Sequence, residues 1–360
     1  MIAMAPDDIR TVPAGSLGFG RYMATHMALC RYKSGEGWEA PRIVPYQSFM
    51  LDPCALVLHY GQSIYEGLKA YARVDGSIGL FRVERNAARF RASATRMAMA
   101  ELPEHLFVQA AYDLVQQERH LVPTTEGGAL YLRPVMIADE AAFGVRRSSS
   151  YLFFIVATPV EDLQRPDGRG LRLRVTEEFA RIASTGGGDA KTSGNYARTI
   201  LALDEARALG FDNVIWLDPV HRDFIEEAGI TNIFVRTAAG KLLTPPLNGR
   251  ILAGVTRETV LAQAASWGLD VEEQEISIAQ LATAVLDGEV SEIFLTGTAT
   301  HIAPVASFAW REREYLLPPV DFSSSLAGRF SSHIRDVQTG RKPDLDKWMT
   351  LVVDSRRFAT

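Results

Sequence analysis

A lysine stands in a glycine-rich stretch near the middle of the chain. The sequence Thr185-Gly-Gly-Gly-Asp-Ala-Lys191-Thr-Ser-Gly-Asn-Tyr196 places glycines on both sides of Lys191 and a tyrosine five residues after it. Because glycine has no side chain to crowd a neighbour, a ligand can approach the amine closely. Such an amine can form a Schiff base with a carbonyl compound and then accept and return a proton. The alternative is a solvated lysine, since charged side chains mostly stay in water.

A second stretch has the properties of a phosphate site. The sequence Asn248-Gly-Arg-Ile-Leu-Ala-Gly254-Val255-Thr256-Arg-Glu258 is a glycine turn that leads into a predicted helix. The first turn of a helix presents unpaired backbone N–H groups and a partial positive charge, and the Thr256 hydroxyl would add a donor. The alternative is that Thr256 simply caps the helix.

Two further stretches place polar groups next to predicted strands. Phe294-Leu-Thr-Gly297-Thr298-Ala299 ends a strand in a turn of small residues, where backbone can approach a ligand. Glu226-Glu227-Ala-Gly229-Ile-Thr-Asn232 places two carboxylates before a strand. Taken alone, these glutamates are expected to lie in a solvated turn.

A lysine, a phosphate-binding helix start and a carboxylate together match the functional groups of pyridoxal phosphate. The lysine amine joins the aldehyde of the cofactor. A carboxylate at the pyridine nitrogen keeps that nitrogen protonated, so that the ring can take up electrons from the substrate. The released lysine then moves the proton by general acid–base catalysis. The sequence therefore predicts a pyridoxal-phosphate enzyme, with no metal.

The chain also resembles a known enzyme family. His59-Tyr60-Gly-Gln-Ser-Ile-Tyr65-Glu66-Gly67-Leu-Lys-Ala-Tyr71 is similar to the signature of branched-chain amino acid aminotransferases, which are fold-type IV pyridoxal-phosphate enzymes. Between about Leu17 and Val305, further matches follow in the family's order: Phe19-Gly, His26-Met27, Tyr131-Leu-Arg133-Pro134, Lys191 with Gly194-Asn195-Tyr196, Glu227 with Gly229 and Asn232, Thr244-Pro-Pro, Ile251-Leu with Gly254-Val-Thr256-Arg, and Gly297-Thr298-Ala299.

The resemblance implies a role for each matching residue at the cofactor. Lys191 would link to the cofactor and move the proton, Glu227 would pair with the pyridine nitrogen, and Tyr196 would hydrogen-bond the phenolic oxygen. The phosphate would be held by Arg89, whose guanidinium suits this role better than a lysine. Additional phosphate contacts would come from the backbone N–H groups of Val255 and Thr256 and from Thr298.

It implies a substrate pocket as well. Arg133 would orient the distal carboxylate of glutamate or 2-oxoglutarate, which lets an apolar pocket accept both an aliphatic amino acid and glutamate. The apolar lining of this pocket would come from Phe19, Tyr65, Tyr131, Tyr196 and Ala299. The other subunit of a homodimer would contribute Tyr60, Phe143 and Val145. For each aromatic residue, plain core packing is the alternative.

The implied activity is amino-group transfer between leucine, isoleucine or valine and 2-oxoglutarate. Two departures bear on the substrate range. Ile230 stands where animal members of the family carry a threonine, and Thr300-His-Ile-Ala303 lacks their Cys-x-x-Cys pair. The alternatives are another fold-type IV enzyme, such as a D-amino acid transaminase, an aminodeoxychorismate lyase or a transaminase for an unusual amino acid, or a non-catalytic protein that binds phosphate ligands.

Composition excludes several other classes. The chain of 360 residues is 47% hydrophobic and 22% charged, which is typical of a soluble globular protein with two domains. Its 38 basic residues are interleaved with 43 acidic ones, so we expect no nucleic-acid partner. The sequence has no apolar run that would span a bilayer and no signal-peptide pattern. With only Cys30 and Cys54, a cytoplasmic location is expected.

The elements that must position these residues form an α/β (α+β) fold of two domains. Residues 1–157 are predicted as a smaller N-terminal α/β domain, 158–170 as a linker rich in charge, Pro and Gly, and 171–360 as a larger, β-barrel-like domain with helices. The predicted strands are 56–60, 77–81, 129–137, 151–157, 171–176, 213–217, 232–236 and 292–296. The predicted helices are 85–100, 106–120, 196–209, 256–267 and 278–287.

Overall fold

The computed structural model describes residues 3–4, 16–161 and 169–353. Their contacts divide the chain into two compact units. The first unit contains the described residues up to 161, together with 190–193 and those from 334 onward, and the second contains 169–189 and 194–333. This division falls within the predicted linker, of which residues 162–168 lie outside the described residues. It differs from the sequence-based division because Lys191 and the C-terminal tail belong to the first unit.

A nine-stranded sheet with two long helices forms most of the first unit. The described strands of the whole unit, two of which lie outside this sheet, are β1 Ala3–Met4, β2 Tyr22–Met23, β3 His26–Lys33, β4 Gly37–Trp38, β5 Arg42–Pro45, β6 Ser63–Tyr65, β7 Leu68–Ala72, β8 Ile78–Phe81, β9 Ala129–Ala138, β10 Ser150–Val160 and β20 Met349–Val352. The helices are α1 Leu56–Tyr60, α2 Val83–Arg96 and α3 Glu104–Gln117. The order in this sheet is β20-β8-β7-β9-β10-β3-β4, with β5 on β3 and β6 on β9, whereas β1 and β2 form a separate parallel pair.

The core of this unit lies between the sheet and the two long helices. Phe90 of α2, Phe107 of α3 and Phe153 of β10 are all buried, and their ring centroids are 5.3 to 5.9 Å apart. Each buried aromatic ring contributes about 2–3 kcal/mol of burial free energy. The packing fixes α2 against the strands, and α2 carries Arg89.

The second unit is built on another nine-stranded sheet, which is curled. Its strands are β11 Leu171–Thr176, β12 Asn213–Leu217, β13 Ile225–Ala228, β14 Asn232–Thr237, β15 Leu242–Thr244, β16 Val271–Glu273, β17 Val290–Gly297, β18 His301–Trp310 and β19 Arg313–Leu316. Its helices are α4 Ser193–Ala197, α5 Ile200–Ala208, α6 Val255–Ser266 and α7 Ile278–Leu286, and α8 Leu326–Thr339 runs from this unit into the first. The order is β13-β12-β11-β18-β17-β14-β15-β16, with β19 on β18. The mixed α/β class is confirmed.

Two local predictions were wrong, and some elements were not predicted. Residues 56–60 form a short helix rather than a strand, and it ends at Gly61, whose φ is +66°. The predicted helix 196–209 is two helices, because the Thr199 hydroxyl donates to the Tyr196 carbonyl at 2.7 Å where the helix would continue. Strand β18 was missed, since Pro304 weakens its strand pattern.

Among the described residues, no helix combines the length and the apolar character that a membrane crossing requires.

Candidate active site

Lys191 is held through its own backbone in the first unit. Its carbonyl accepts a hydrogen bond from the Tyr65 N–H at 3.0 Å, and its N–H donates to the Ser93 hydroxyl at 3.0 Å. The next residue, Thr192, pairs with Ile64 and donates its hydroxyl to the Ser63 carbonyl at 2.7 Å. These bonds fix the main chain at Lys191 against β6 and α2.

The side chain of Lys191 lies in a cluster of aromatic rings that also holds a guanidinium. Its Nζ atom is 4.5 Å from the centroid of the Tyr65 ring. The Cζ atom of Arg133 is 4.8 Å from the same centroid, and its Nη2 donates to the Tyr131 hydroxyl at 2.9 Å. Phe19 meets the Tyr131 ring edge-on, with centroids 4.8 Å apart. The structure thus brings together five residues that the sequence predicted for one site.

Arg89 pairs with Glu66, for which no role was predicted. Its Nε and Nη2 atoms donate to the two carboxylate oxygens of Glu66 at 2.7 and 2.8 Å, and Asn86 adds a third bond at 2.8 Å. Burial alone would raise the pKa of Glu66, but the charges of Arg89 and Lys191 and these hydrogen bonds outweigh it, so that the pKa lies below its usual value. Glu66 therefore stays ionised and fixes the Arg89 guanidinium in one orientation.

Tyr60, Phe143 and Val145 lie together at another place on the first unit. The Tyr60 hydroxyl accepts a hydrogen bond from the Gly144 N–H at 2.9 Å. The three side chains are 40%, 70% and 87% exposed, respectively. The sequence predicted that they complete the site of a partner subunit, and their exposure leaves them accessible to a partner.

Glu227 is buried in the second unit, on β13. Its Oε1 atom accepts hydrogen bonds from Arg181 Nη2 at 3.1 Å and from the Leu252 N–H at 2.7 Å. Arg181 is 5% exposed and Glu227 3%, so this is a buried ion pair. The neighbouring Glu226 is also buried and pairs with Arg250, although burial raises its pKa. The solvated turn expected for these two glutamates from their sequence alone was therefore wrong.

The predicted phosphate stretch forms the start of α6. Gly254 is the N-cap residue, and no side chain caps the helix there. Thr256 is therefore not the cap, and Val255 and Thr256 lie in the first turn, both nearly buried. A Cβ atom at Gly254 would lie 2.0 Å from Asn232 Oδ1, so only glycine fits this turn. A 12-residue helix that begins without a side-chain cap suits an anionic ligand.

The other predicted residues of this unit are partly buried. Thr298 and Ala299 form the turn that connects β17 and β18, and Tyr196 lies in α4. The preceding Gly297 packs closely, since a Cβ atom there would lie 3.2 Å from Thr231 Cγ2. These three residues lie in the same unit as Glu227 and the start of α6.

The glycines before Lys191 have a structural role that differs from the predicted one, which was access of a ligand to the amine. The N–H groups of Gly187 and Gly188 both donate to the Gly249 carbonyl, at 3.0 and 3.1 Å. A Cβ atom at Gly188 would lie 1.8 Å from the Arg250 carbonyl oxygen. These glycines let two backbone segments of the second unit approach each other.

Sequence reasoning missed Ser93, Glu66 and Arg181, which bind Lys191, Arg89 and Glu227, respectively. Asn86, Arg89 and Ser93 have the i, i+3, i+7 spacing of one face of α2, so this polar stripe could have revealed Ser93 as a partner of Lys191. Glu66 lies next to Tyr65 in the signature but suggested no ion pair by its spacing. Arg181 gave no signal, because its contact with Glu227 joins positions 46 residues apart.

Residues 63–308 match the family model described as amino-transferase class IV. The branched-chain-amino-acid transaminase 1 of Bacillus subtilis is 40% identical over 334 residues, which cover 92% of this chain and 93% of that protein. A branched-chain-amino-acid aminotransferase of Mycobacterium tuberculosis strain H37Rv is 39% identical over 340 residues, covering 92% and 91%.

Solved structures of similar fold carry related names. The branched-chain amino acid aminotransferase from Thermobaculum terrenum, in its PLP-form (holo-form), superposes with a TM-score of 0.71 at 23% identity, covering 91% of this chain and 98% of that one. The branched-chain amino acid aminotransferase from Escherichia coli superposes with a TM-score of 0.71 at 24% identity, covering 90% and 99%.

Proposed function

Because this chain belongs to the amino-transferase class IV family, we propose that it is a branched-chain amino acid transaminase. It transfers the amino group between leucine, isoleucine or valine and 2-oxoglutarate, with pyridoxal phosphate as cofactor. The products are branched 2-oxo acids and L-glutamate. Relatives with 39–40% identity over more than nine tenths of their length carry this name, which supports the assignment.

The observation that carries the proposal is the cluster around Lys191. It places a carbonyl-reactive amine 4.5 Å from an aromatic ring that also contacts the guanidinium of Arg133. Transamination needs these features together: an amine for the reacting centre, a cation for a carboxylate and apolar surface for an aliphatic side chain.

The residues of each unit fit pyridoxal phosphate. The start of α6 offers the uncapped N–H groups of Val255 and Thr256 to a phosphate, with Arg89 and Thr298 as further donors in the proposal. Glu227 is a buried carboxylate suited to a protonated ring nitrogen, and Tyr196 would donate to the phenolic oxygen. When bound, the cofactor supplies an aldehyde for the amine and a ring that takes up electrons from the substrate.

Lys191 is the residue that moves the proton. Its Nζ atom would remove the proton from the substrate Cα and would deliver it to the cofactor carbon that carried the aldehyde. The two backbone hydrogen bonds of Lys191, each 3.0 Å long, keep the main chain still while the side chain moves. The reach of the amine is therefore set by its own side-chain length.

Substrate selection is proposed to use the surrounding cluster. Arg133 binds the distal carboxylate of glutamate or 2-oxoglutarate, and Phe19, Tyr65, Tyr131 and Ala299 contact the aliphatic side chain. An apolar pocket distinguishes one methylene by only about 1–3 kcal/mol, so leucine, isoleucine and valine are all expected to react.

The assembly is proposed to be a homodimer in the cytoplasm. Exposed Tyr60, Phe143 and Val145 form an apolar surface that a second copy of the chain would cover. Both cysteines are free thiols, as is usual in a reducing compartment.

The first experiment is the substitution Lys191→Ala. We expect it to abolish transamination of leucine with 2-oxoglutarate and to remove the visible absorbance of the cofactor-loaded protein, because no other amine replaces Nζ. Lys241→Ala is the matched control, since Lys241 pairs with Glu272 near the surface. A Lys191→Ala protein that keeps both properties refutes the role of Lys191.

Measurements on the unmodified protein separate the enzyme from its alternatives. Purified protein that is colourless and unaffected by borohydride would instead be a non-catalytic phosphate-ligand protein. A panel of amino donors with 2-oxoglutarate as acceptor should give its highest rates with the branched-chain L-amino acids. A preference for a D-amino acid would point to the related transaminases.

A further inference from the structure

The ring of Tyr65 lies against two cations at once. Lys191 Nζ is 4.5 Å and Arg133 Cζ 4.8 Å from its centroid, both within the range of about 6 Å in which a cation is attracted to an aromatic ring. All three residues belong to the first unit. The electron-rich ring stabilises both cations, although they repel each other.

The position of this ring is determined by backbone pairing. Tyr65 is the last residue of β6 and pairs with Val135 on β9, two residues after Arg133. Its N–H donates to the Lys191 carbonyl at 3.0 Å. The ring is therefore tied both to the strand that carries Arg133 and to the main chain that carries the amine.

The guanidinium of Arg133 also contacts Tyr131, whose ring centroid lies 5.3 Å from Arg133 Cζ. Its Nη2 and Nε atoms donate to the Tyr131 hydroxyl at 2.9 and 3.3 Å. A single hydroxyl acceptor leaves the planar guanidinium able to rotate about it, whereas a ring contact restricts the tilt of the plane. Tyr131 thus holds the guanidinium through its hydroxyl and its ring, whereas the Tyr65 ring contacts both the guanidinium and the Lys191 amine.

We propose that Tyr65 is a positioning residue that sets the distance between the Lys191 amine and the Arg133 guanidinium. This rests on the proposed function, in which the amine acts at the substrate Cα and the guanidinium holds the distal carboxylate. The aromatic ring then selects for the dicarboxylate partner, glutamate or 2-oxoglutarate. A residue that only lines the apolar pocket would instead affect the branched-chain partner most.

The test compares two non-reacting ligands on the cofactor-loaded protein. Glutarate has two carboxylates with the spacing of 2-oxoglutarate, and 4-methylpentanoate has one carboxylate and the carbon skeleton of leucine. Their dissociation constants are measured by calorimetry. The difference between the two binding free energies isolates the contribution of the distal carboxylate.

The variants separate the effect of the ring's electron density from the effect of its shape. Tyr65→Phe keeps an electron-rich ring, Tyr65→Leu removes the ring, and pentafluorophenylalanine at position 65 keeps the shape of phenylalanine but not its attraction for cations. Relative to Tyr65→Phe, we expect the leucine and fluorinated variants to bind glutarate about three- to tenfold more weakly, with 4-methylpentanoate changed by less than about twofold.

Equal glutarate affinity in the phenylalanine and pentafluorophenylalanine variants would overturn the proposal, as would an equal loss for both ligands. If the leucine variant does not fold, the two ring variants still decide the question. Arg133→Met tests the underlying function separately. If Arg133→Met leaves glutarate binding intact, the proposed carboxylate site fails; if it weakens binding, Tyr65→Leu should add little in that background.

Discussion

Arg181 and a backbone amide both donate to the same oxygen of the buried Glu227 side chain. The contacts are 3.1 Å to Arg181 Nη2 and 2.7 Å to the Leu252 N–H. A buried carboxylate without a cation would become protonated or would destabilise the fold. Arg181 thus gives Glu227 the charge that its proposed role at a ring nitrogen requires.

Removal of Arg181 should destabilise the protein strongly. We expect Arg181→Met to lower the free energy of unfolding by about 3–5 kcal/mol, because it leaves the Glu227 charge buried without its partner. Urea denaturation of the cofactor-free protein measures this change. Adding Glu227→Gln in the same chain should recover part of the loss, since no unpaired charge then remains. A double variant as unstable as Arg181→Met alone would contradict the ion-pair argument.

At this scale the sequence indicated candidate site residues more readily than the residues that support them. Lys191 and Arg133 were recognisable because they stand in contiguous motifs, and the structure places them in one cluster. Arg181 was not recognisable, because an ion pair between positions 46 residues apart depends on strand pairing that no local pattern encodes.

The segment that precedes Lys191 is held by contacts between backbone atoms rather than between side chains. Gly186 and Gly187 have φ values of +90° and +104°, which side chains rarely adopt. The backbone N–H groups of Gly187, Gly188 and Asp189 all donate to the Gly249 carbonyl. The glycine-rich stretch therefore packs its backbone against the segment around Gly249.

Two glycines on either side of Lys191 should respond differently to an added methyl group. Gly188→Ala places Cβ 1.8 Å from the Arg250 carbonyl oxygen, so the two segments must separate, whereas Gly194 has nothing within 4 Å of the same position. We expect Gly188→Ala to lower the free energy of unfolding by about 1–3 kcal/mol, and Gly194→Ala by less than about 1 kcal/mol. Thermal and urea unfolding compare the two variants. Equal losses would show that the close approach at Gly188 does not stabilise the loop.

Element prediction succeeded for several strands and helices of the second unit. The β11 and β12 strands were predicted with their observed bounds, and α6 and α7 to within one residue at each end. The strand prediction for residues 56–60 was wrong because so short and largely apolar a stretch fits a strand and a helix equally well. Only Leu56 among these five residues is buried. The continuous helix 196–209 was wrong because the chain breaks after Ala197, where the Thr199 hydroxyl donates to the Tyr196 carbonyl.

At the scale of the whole molecule, the chain does not divide as its sequence suggests. Residues 190–193 and the tail from 334 onward belong to the first unit, where β20 pairs with β8 at the edge of the sheet. Composition can indicate a boundary where a linker is polar, which is the basis of the predicted linker 158–170. It cannot reveal a later segment that returns to an earlier sheet, because that pairing joins positions about 270 residues apart.

The 140–149 segment presents an apolar surface in a defined shape. Arg146 donates to both oxygens of Glu140 at 3.0 and 2.7 Å, and the Ser149 N–H donates at 2.7 Å, which closes the loop that carries Phe143 and Val145. Arg146 and these bonds lower the pKa of Glu140 to about 2, so the closure is complete above about pH 4.5 and is lost only as the pH falls toward 2. The loop is therefore formed under the conditions in which a dimer would assemble.

A charge on this loop should prevent the proposed dimer. We expect Val145→Asp to convert a dimer into a monomer, because the carboxylate would lose its water in the interface without gaining a partner. Sedimentation velocity measures the assembly state. Leu345→Asp is the matched control, since Leu345 is 84% exposed and Val145 87%. A Val145→Asp protein that remains dimeric, or a parent protein that is monomeric, excludes this surface as the interface. If Tyr60, Phe143 and Val145 also complete the partner's site, transamination should fall together with the fraction of dimer.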